Sequence, residues 1–329
     1  MVYRLDAGTV IDAEGNLVIE NLYTGSVSQV THAQGSVSGY SSGSTGNPSP
    51  SILNDTIEKF PFSADANATD VGNLTLGRAR VSGASSTSHG YTAGGVGSPY
   101  ANFYNNIDKF SFSVDGNASD VGDLTESRYD NAGQTSTVSG YSSGGINAFP
   151  PVSTNVIDKF SFSADGNATD VGDLTQARAV SAGQSSTTHG YTSGSNPGGN
   201  VIDKFPFSSD ASATDVGDLS QSRGGPGGNS SSTHGYSGGG SGPPFSNVID
   251  KFSFSSDGNA TDVGDLTVAR NSMSEGQNSI SSGYLSGGFT PAGPGAINVI
   301  EKYPFSTDAN ATDVGDLTVN KTSAAGQQV

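Results

Sequence analysis

One phrase occurs six times in this chain of 329 residues, and it limits the folds open to the sequence more than any other feature. In its third copy it runs Ile157, Asp158, Lys159, Phe160, Ser161, Phe162, Ser163, Ala164, Asp165, Gly166, Asn167, Ala168, Thr169, Asp170, Val171, Gly172, Asp173, Leu174, Thr175. The lysines that mark its copies are Lys59, Lys109, Lys159, Lys204, Lys251 and Lys302, separated by steps of 50, 50, 45, 47 and 51 residues. A repeat of that length cannot bury its own apolar face and must pack against its neighbours. The period is that of a propeller blade of four short strands.

A second phrase alternates with the first: a Ser/Thr run, then His-Gly-Tyr or Ser-Gly-Tyr, then a glycine-rich stretch. Its tyrosines are Tyr40, Tyr91, Tyr141, Tyr191, Tyr236 and Tyr284. The two series are out of phase. Gly39-Tyr40 has no Lys-Phe phrase before it, and Lys302-Tyr303 has no Gly-Tyr phrase after it. A closed ring explains this, because the segment around Val37, Ser38, Gly39 and Tyr40 then supplies the strand missing from the blade that the C-terminus begins. Closure leaves no open seam and keeps sheet edges short. The expected fold is therefore all-β: a six-bladed β-propeller with the last blade closed by the N-terminal strand.

Within one blade, the alternation of Ile157, Lys159, Phe160 and Phe162 reads as a half-buried strand. Asp165-Gly166-Asn167 has the residue types of a hairpin turn, and 168–174 reads as the next strand. The Ser/Thr-rich run 185–191 is expected to be the inner strand, where only small side chains fit around the axis. The glycine-rich stretches that follow lead into loops of variable length and composition, positions that tolerate change and often carry binding. Hydrophobic residues make up only 32% of the chain, and glycine contributes 47 residues. Such a composition is compatible with disorder, but here the polar residues recur at fixed places between short apolar runs.

The repeat resembles the kelch motif. The residues that carry the likeness are the glycine pairs Gly94-Gly95 and Gly144-Gly145, the aromatic strands with Phe110 and Phe160, and the elements Leu124 with Arg128 and Leu174 with Arg178. The likeness covers residues 33–329. The tryptophan typical of the kelch third strand is absent, and Thr169 and its counterparts stand near its place. The high identity among repeats, with their Gly/Ser/Thr enrichment, looks like propeller domains in structural proteins of tailed phages and other marine viruses. That resemblance implies a particle component.

The net charge of −17 and a pI near 4.3 oppose nucleic acid, which calls for a basic face, and oppose anionic lipid. There is no cysteine, so disulfides, thiol nucleophiles and Cys zinc sites are excluded. A kelch-type copper oxidase would need a cysteine and is excluded with them. No apolar run reaches transmembrane length, and Met1 to Asp6 lacks the basic and apolar regions of a signal peptide. The expected setting is a virion made in the host cytoplasm, without membrane insertion.

Twelve of the fourteen basic residues belong to the repeat: the six lysines named above, and Arg78, Arg128, Arg178, Arg223, Arg270 and Lys321 after the Leu element. Only Arg4 and Arg80 fall outside. A cation used once in every blade serves the blade, so these are expected to pair with repeated acids such as Asp158, Asp170 and Asp173. The turn Asp165 to Asp170 has alternating oxygens but lacks the closing glutamate of an EF-hand. His89, His189 and His234 precede Gly-Tyr, where two blades carry Ser139 and Ser282. Both sets are expected to be structural, with no metal and no cofactor. The Asn-Ala-Thr sequons fall in the repeated turn and follow from turn chemistry. No Gly-x-Ser-x-Gly elbow and no carboxylate pair unique to one blade marks an enzyme.

The symmetry breaks in the loops, which carry Tyr100, Tyr104, Phe149, Phe245 and Phe289 as candidate binding residues, since rigid aromatics make good anchors. It also breaks in the non-repeat segment 1–31. There Thr9-Val10-Ile11 and Leu17-Val18-Ile19 flank a turn at 12–16 and read as a β-hairpin that needs a partner surface. Two domains are expected: an attachment segment at 1–31 and the propeller at 32–329. The expected function is a non-enzymatic structural or adhesion module that meets other virion proteins through the N-terminal segment. The alternative is a lectin-like propeller that binds a host-surface glycan.

Overall fold

A computed structural model describes residues 34–45, 53–98, 102–196, 198–242, 244–271, 276–291 and 295–329, together with the strand pair Val10–Ile11 and Leu17–Val18. Val10 faces Val18 and Ile11 faces Leu17 across that pair. Thr9, the turn 12–16 and Ile19 lie outside the described residues.

The protein is a six-bladed β-propeller built of six antiparallel four-stranded sheets. Blade 2 is typical. Its inner strand is Ser82–Ser85, followed outward by His89–Ala93, Asn106–Ser111 and Ser119–Asp123. Blades 3 to 6 begin with inner strands Ala132–Thr135, Ala182–Ser185, Gly227–Ser230 and Gln277–Asn278. Blade 1 is made from both ends of the chain: its inner strand is Ala325–Gln328, and Ser38–Thr45, Leu53–Pro61 and Thr69–Asn73 follow. Gln327 stands opposite Tyr40 in this seam. The ring closes where the offset of the two phrases requires.

One local expectation is corrected. The run 185–191 is not the inner strand; Ala182–Ser185 is, and the Gly-Tyr phrase lies on the second strand, His189–Ser195. The axis demands glycine rather than serine or threonine. A Cβ built on Gly183 would lie 2.0 Å from the carbonyl oxygen of Gly133, and one on Gly228 would lie 2.3 Å from that of Gly183. Neighbouring inner strands are thus in backbone contact. Their last residues close a hydrogen-bonded circle: the backbone N–H groups of Ser85, Thr135, Ser185, Ser230, Asn278 and Gln328 each donate to the side chain of the next blade, the last of them back to Ser85.

The glycine of each Gly-Tyr step has a different task. Gly140 is registered opposite Phe160, and a Cβ there would meet the Phe160 ring at 2.3 Å. The bare backbone lets the phenylalanine lie across the strand. Each tyrosine in turn packs between two aromatics of the next blade. Tyr141 sits 5.5 Å from Phe205 and 4.9 Å from Phe207, and Tyr284 closes the circle on Phe60 and Phe62. The hydrophobic core is therefore six small clusters between blades.

Two rings of ion pairs lie around these clusters. In the buried ring, Arg78, Arg128, Arg178 and Arg223 pair with Asp108, Asp158, Asp203 and Asp250, Arg270 pairs with Glu301, and Lys321 pairs with Glu58. Each cation sits on the connection that leaves one blade, and each acid sits on the third strand of the next. The side chains are 0–2% exposed. Burial depresses each guanidinium below its usual range even with the carboxylate alongside. In the outer ring, Lys59, Lys109, Lys159, Lys204, Lys251 and Lys302 reach Asp115, Asp165, Asp210, Asp257, Asp308 and Asp65 in the hairpin turn of the following blade.

Because the strands alternate in direction, the connections fall on two faces. The turns between inner and second strands, and between third and outer strands, make a turn face. The second-to-third loops and the links between blades make a loop face.

Three outcomes are expected. Asp158→Ala strands the buried Arg128 and should cost on the order of 3–5 kcal/mol in urea unfolding. Lys109→Ala breaks a pair whose aspartate is 54% exposed and should cost less than about 1 kcal/mol; equal shifts in the two midpoints would contradict this division. Removal of residues 325–329 strips blade 1 of its inner strand and should abolish the single cooperative melting transition seen by calorimetry.

Candidate functional site

A feature that holds the blades together must recur in each of them, so the residues free to recognise something are those that do not recur. They concentrate on the loop face. Two residues beyond the buried cations Arg78, Arg128, Arg178, Arg223 and Lys321, the link between blades passes close to the axis. The residue there takes a left-handed backbone, with φ of 60° at Arg80, 57° at Asp130, Val180 and Ser323, and 64° at Gly225. Backbone hydrogen bonds tie these positions in a chain around the axis: Arg80 N–H to Ser323 C=O, Asp130 to Arg80, Val180 to Asp130 and Gly225 to Val180. The conformation recurs, and the side chains do not. The pairs Arg80-Val81, Asp130-Asn131, Val180-Ser181, Gly225-Pro226 and Ser323-Ala324 all differ, and together they line a cavity of about 50 Å³ at the mouth of the axis. A β-branched residue such as Val180 pays a real steric cost in this region of φ.

Electrostatics single out one side of the mouth. Arg80 Nη1 donates to Asp130 Oδ2 over 2.9 Å, with the arginine side chain 40% exposed and the aspartate 8% exposed. The guanidinium lies 5.6 Å from the centre of the Tyr129 ring, which itself tilts against Phe103 at 5.0 Å. Burial pushes the Asp130 carboxyl above its ordinary range, and Arg80 offsets this only in part. Next to it, Asn131 Nδ2 donates to the hydroxyls of Ser82 at 2.7 Å and Ser142 at 2.6 Å, which fixes the amide. Its Oδ1 is buried without a hydrogen-bond partner in the protein.

The loop aromatics expected to bind belong to the loops of different blades. Tyr100 lies outside the described residues. Tyr104 is half-buried and covers Gly97. Phe149 is 81% exposed on the loop between Ile146–Ala148 and Val152–Ser153. Phe245 and Phe289, from neighbouring blades, lie 6.3 Å apart. The repeated cations Lys59 to Lys302 and Arg78 to Arg270 sit in the two rings between blades. The oxygens of the 165–170 turn point to protein partners: Asp165 takes Lys109, Asn167 Oδ1 accepts from Asp123 N–H, and Asp170 Oδ1 accepts from Gly172 N–H. The histidines do not line the axis, because the Gly-Tyr phrase is on the second strand; His189 Nδ1 is held by Thr188 Oγ1 at 2.8 Å. His32 lies outside the described residues.

The mouth was overlooked in the sequence although one signal pointed to it. Arg80 is a basic residue outside the repeat, and Asp130 and Val180 follow it at steps of one full repeat of 50. Compared with models of known protein families and with curated protein sequences, the chain matches none.

A group whose folded pKa is raised stabilises the fold below its unfolded pKa, and that margin is lost as pH rises through the folded value. Wild type should therefore lose stability relative to Asp130→Asn as pH rises from the ordinary carboxylate range towards neutrality. Melting temperatures of the two proteins across that range check the sign; a constant difference would remove Asp130 from the account.

Proposed function

We propose that the chain is a non-enzymatic structural and adhesion module of a virus particle, kelch-like in its repeat, with the N-terminal segment as its attachment and the loop face as its recognition surface. The observation that carries the reading is the division of labour between the faces. Side chains that recur in every blade are consumed in contacts between blades. Those that differ gather on the loop face, around the mouth and in the second-to-third loops. The described residues that follow the N-terminal segment join the ring on the opposite, turn face: Gln34 Nε2 donates to Ser279 C=O, Gly35 N–H to Asn278 C=O and Val37 N–H to Val329 C=O. A module held by that segment presents its variable surface away from its anchor.

The kelch kinship is supported by the glycine pair after the second strand in four of the blades, where Gly94 and Gly95 take φ of 70° and 110°, and by the Leu and Arg elements that join successive blades. The virion setting is supported by the near-identical repeats, and the charge of −17 suits crowding at high copy number. A second reading, a lectin-like propeller that takes a host-surface glycan, is favoured by the exposed Phe149 and the paired Phe245 and Phe289.

The test uses particles assembled in cells that make either the full chain or a chain lacking residues 1–30. The full chain should pellet with the particles, and the shortened one should stay in the supernatant with its melting temperature unchanged. Equal incorporation of both would overturn the attachment role.

A further inference from the structure

The Arg80–Asp130 pair is not needed to close the ring. The equivalent positions in three other blades hold Val180, Gly225 and Ser323, and the backbone chain of hydrogen bonds passes through them regardless. The pair is also a poor latch, because a carboxylate that burial penalises contributes little net stability even beside its partner. Donor and acceptor thus stand together at one cavity, on adjacent links, at positions whose identity the fold leaves open.

We propose that the axial mouth of the loop face is a subsite for a neutral saccharide, in which Asp130 accepts from one hydroxyl and Arg80 donates to a neighbouring hydroxyl oxygen. This rests on the reading of the loop face as a recognition surface. The chemistry favours a polyol over an ion. The pair is internally neutral, so it offers no net charge to an anion or a cation. A vicinal diol presents a donor and an acceptor side by side, which complements a guanidinium hydrogen-bonded to a carboxylate. Ser323 and Ser181 flank the pair on either side, on the links next to Arg80 and Asp130, and Val81, Val180, Pro226 and Ala324 supply apolar surface for C–H groups. Such a mixture of apolar wall and few polar groups is the usual make-up of small-ligand sites. The volume of about 50 Å³ admits the hydroxyl-bearing edge of one sugar ring and no more. The remainder of the glycan would lie over the loops.

Methyl α-D-glucoside, methyl α-D-galactoside and methyl α-D-mannoside are titrated singly into the full chain and followed by saturation-transfer difference NMR. At least one should give saturable transfer. Asp130→Asn and Arg80→Ala should each weaken it at least about ten-fold, the loss expected when a hydrogen bond to a charged group is removed, and Lys109→Ala should leave it unchanged. Arg80→Lys, which keeps the charge but not the planar fork, should fall between. Melting curves show whether each variant is folded. Absence of saturable transfer from all three glycosides overturns the proposal, as does transfer that survives both the Asp130 and the Arg80 substitutions. If transfer survives those but fails in Phe149→Ala, the sugar belongs to the loops and the mouth is excluded, while the recognition face stands. The particle-pelleting experiment reads the adhesion role independently of any of these results.

Discussion

The contact on which this ring depends is the buried pair between a cation leaving one blade and a carboxylate on the third strand of the next. Blades share no continuous sheet, so their spacing and tilt are set by side chains. Removing two charges from water costs about as much as their attraction returns, which makes such a pair a weak source of net stability. What it supplies is intolerance: a displaced blade leaves a buried charge alone. Asp158 illustrates the geometry, because Thr125 donates its hydroxyl to Oδ1 and its N–H to Oδ2, the oxygen that Arg128 also reaches. The link between blades is thereby clamped at two points three residues apart. Where the chain replaces aspartate by the longer glutamate, at Glu301 and Glu58, the pairing is kept, and at the seam the cation becomes the shorter Lys321.

Around this clamp the other contacts fall into concentric layers, each with its own chemistry. Backbone contact at the axis requires glycine. Farther out come the tyrosines between two aromatics of the next blade, and at the rim the exposed lysine–aspartate pairs, where solvent screening leaves little energy. Variation in repeat length, from 45 to 51 residues, is absorbed by loops that enter none of these layers.

Much of the architecture was legible because period and phase are properties of the sequence alone. Six copies gave six blades, and the mismatch between the Lys-Phe and Gly-Tyr series located the seam. The inner strand was misplaced because the physical criterion, smallness, was applied to the Ser/Thr run at 185–191. The axis excludes even a Cβ, so the decisive residue was the glycine within Ala182–Ser185. The loop aromatics were conspicuous by residue type, yet type says nothing of whether Phe149 and Phe245 converge. The mouth escaped for the opposite reason. Arg80, Asp130 and Val180 are unlike one another and look like noise until superposition of blades shows that they share one position and one backbone conformation.

The seam has a temporal consequence. Ser38–Thr45 waits for Ala325–Gln328, a partner some 285 residues away, as in the contact of Ser42 with Gln327. At ribosomal speeds of about 5–20 residues per second, that strand stands without its inner neighbour for roughly 15–60 s while blades 2 to 6 emerge and form. An exposed edge of that duration invites association with other nascent chains. The edge in question reads Ser38, Gly39, Tyr40, Ser41, Ser42, Gly43, Ser44, Thr45, which is small, polar and poor in the β-branched apolar residues that nucleate aggregates. The composition that lets this strand pack near a crowded axis also makes it a quiet edge during the long interval before the ring shuts.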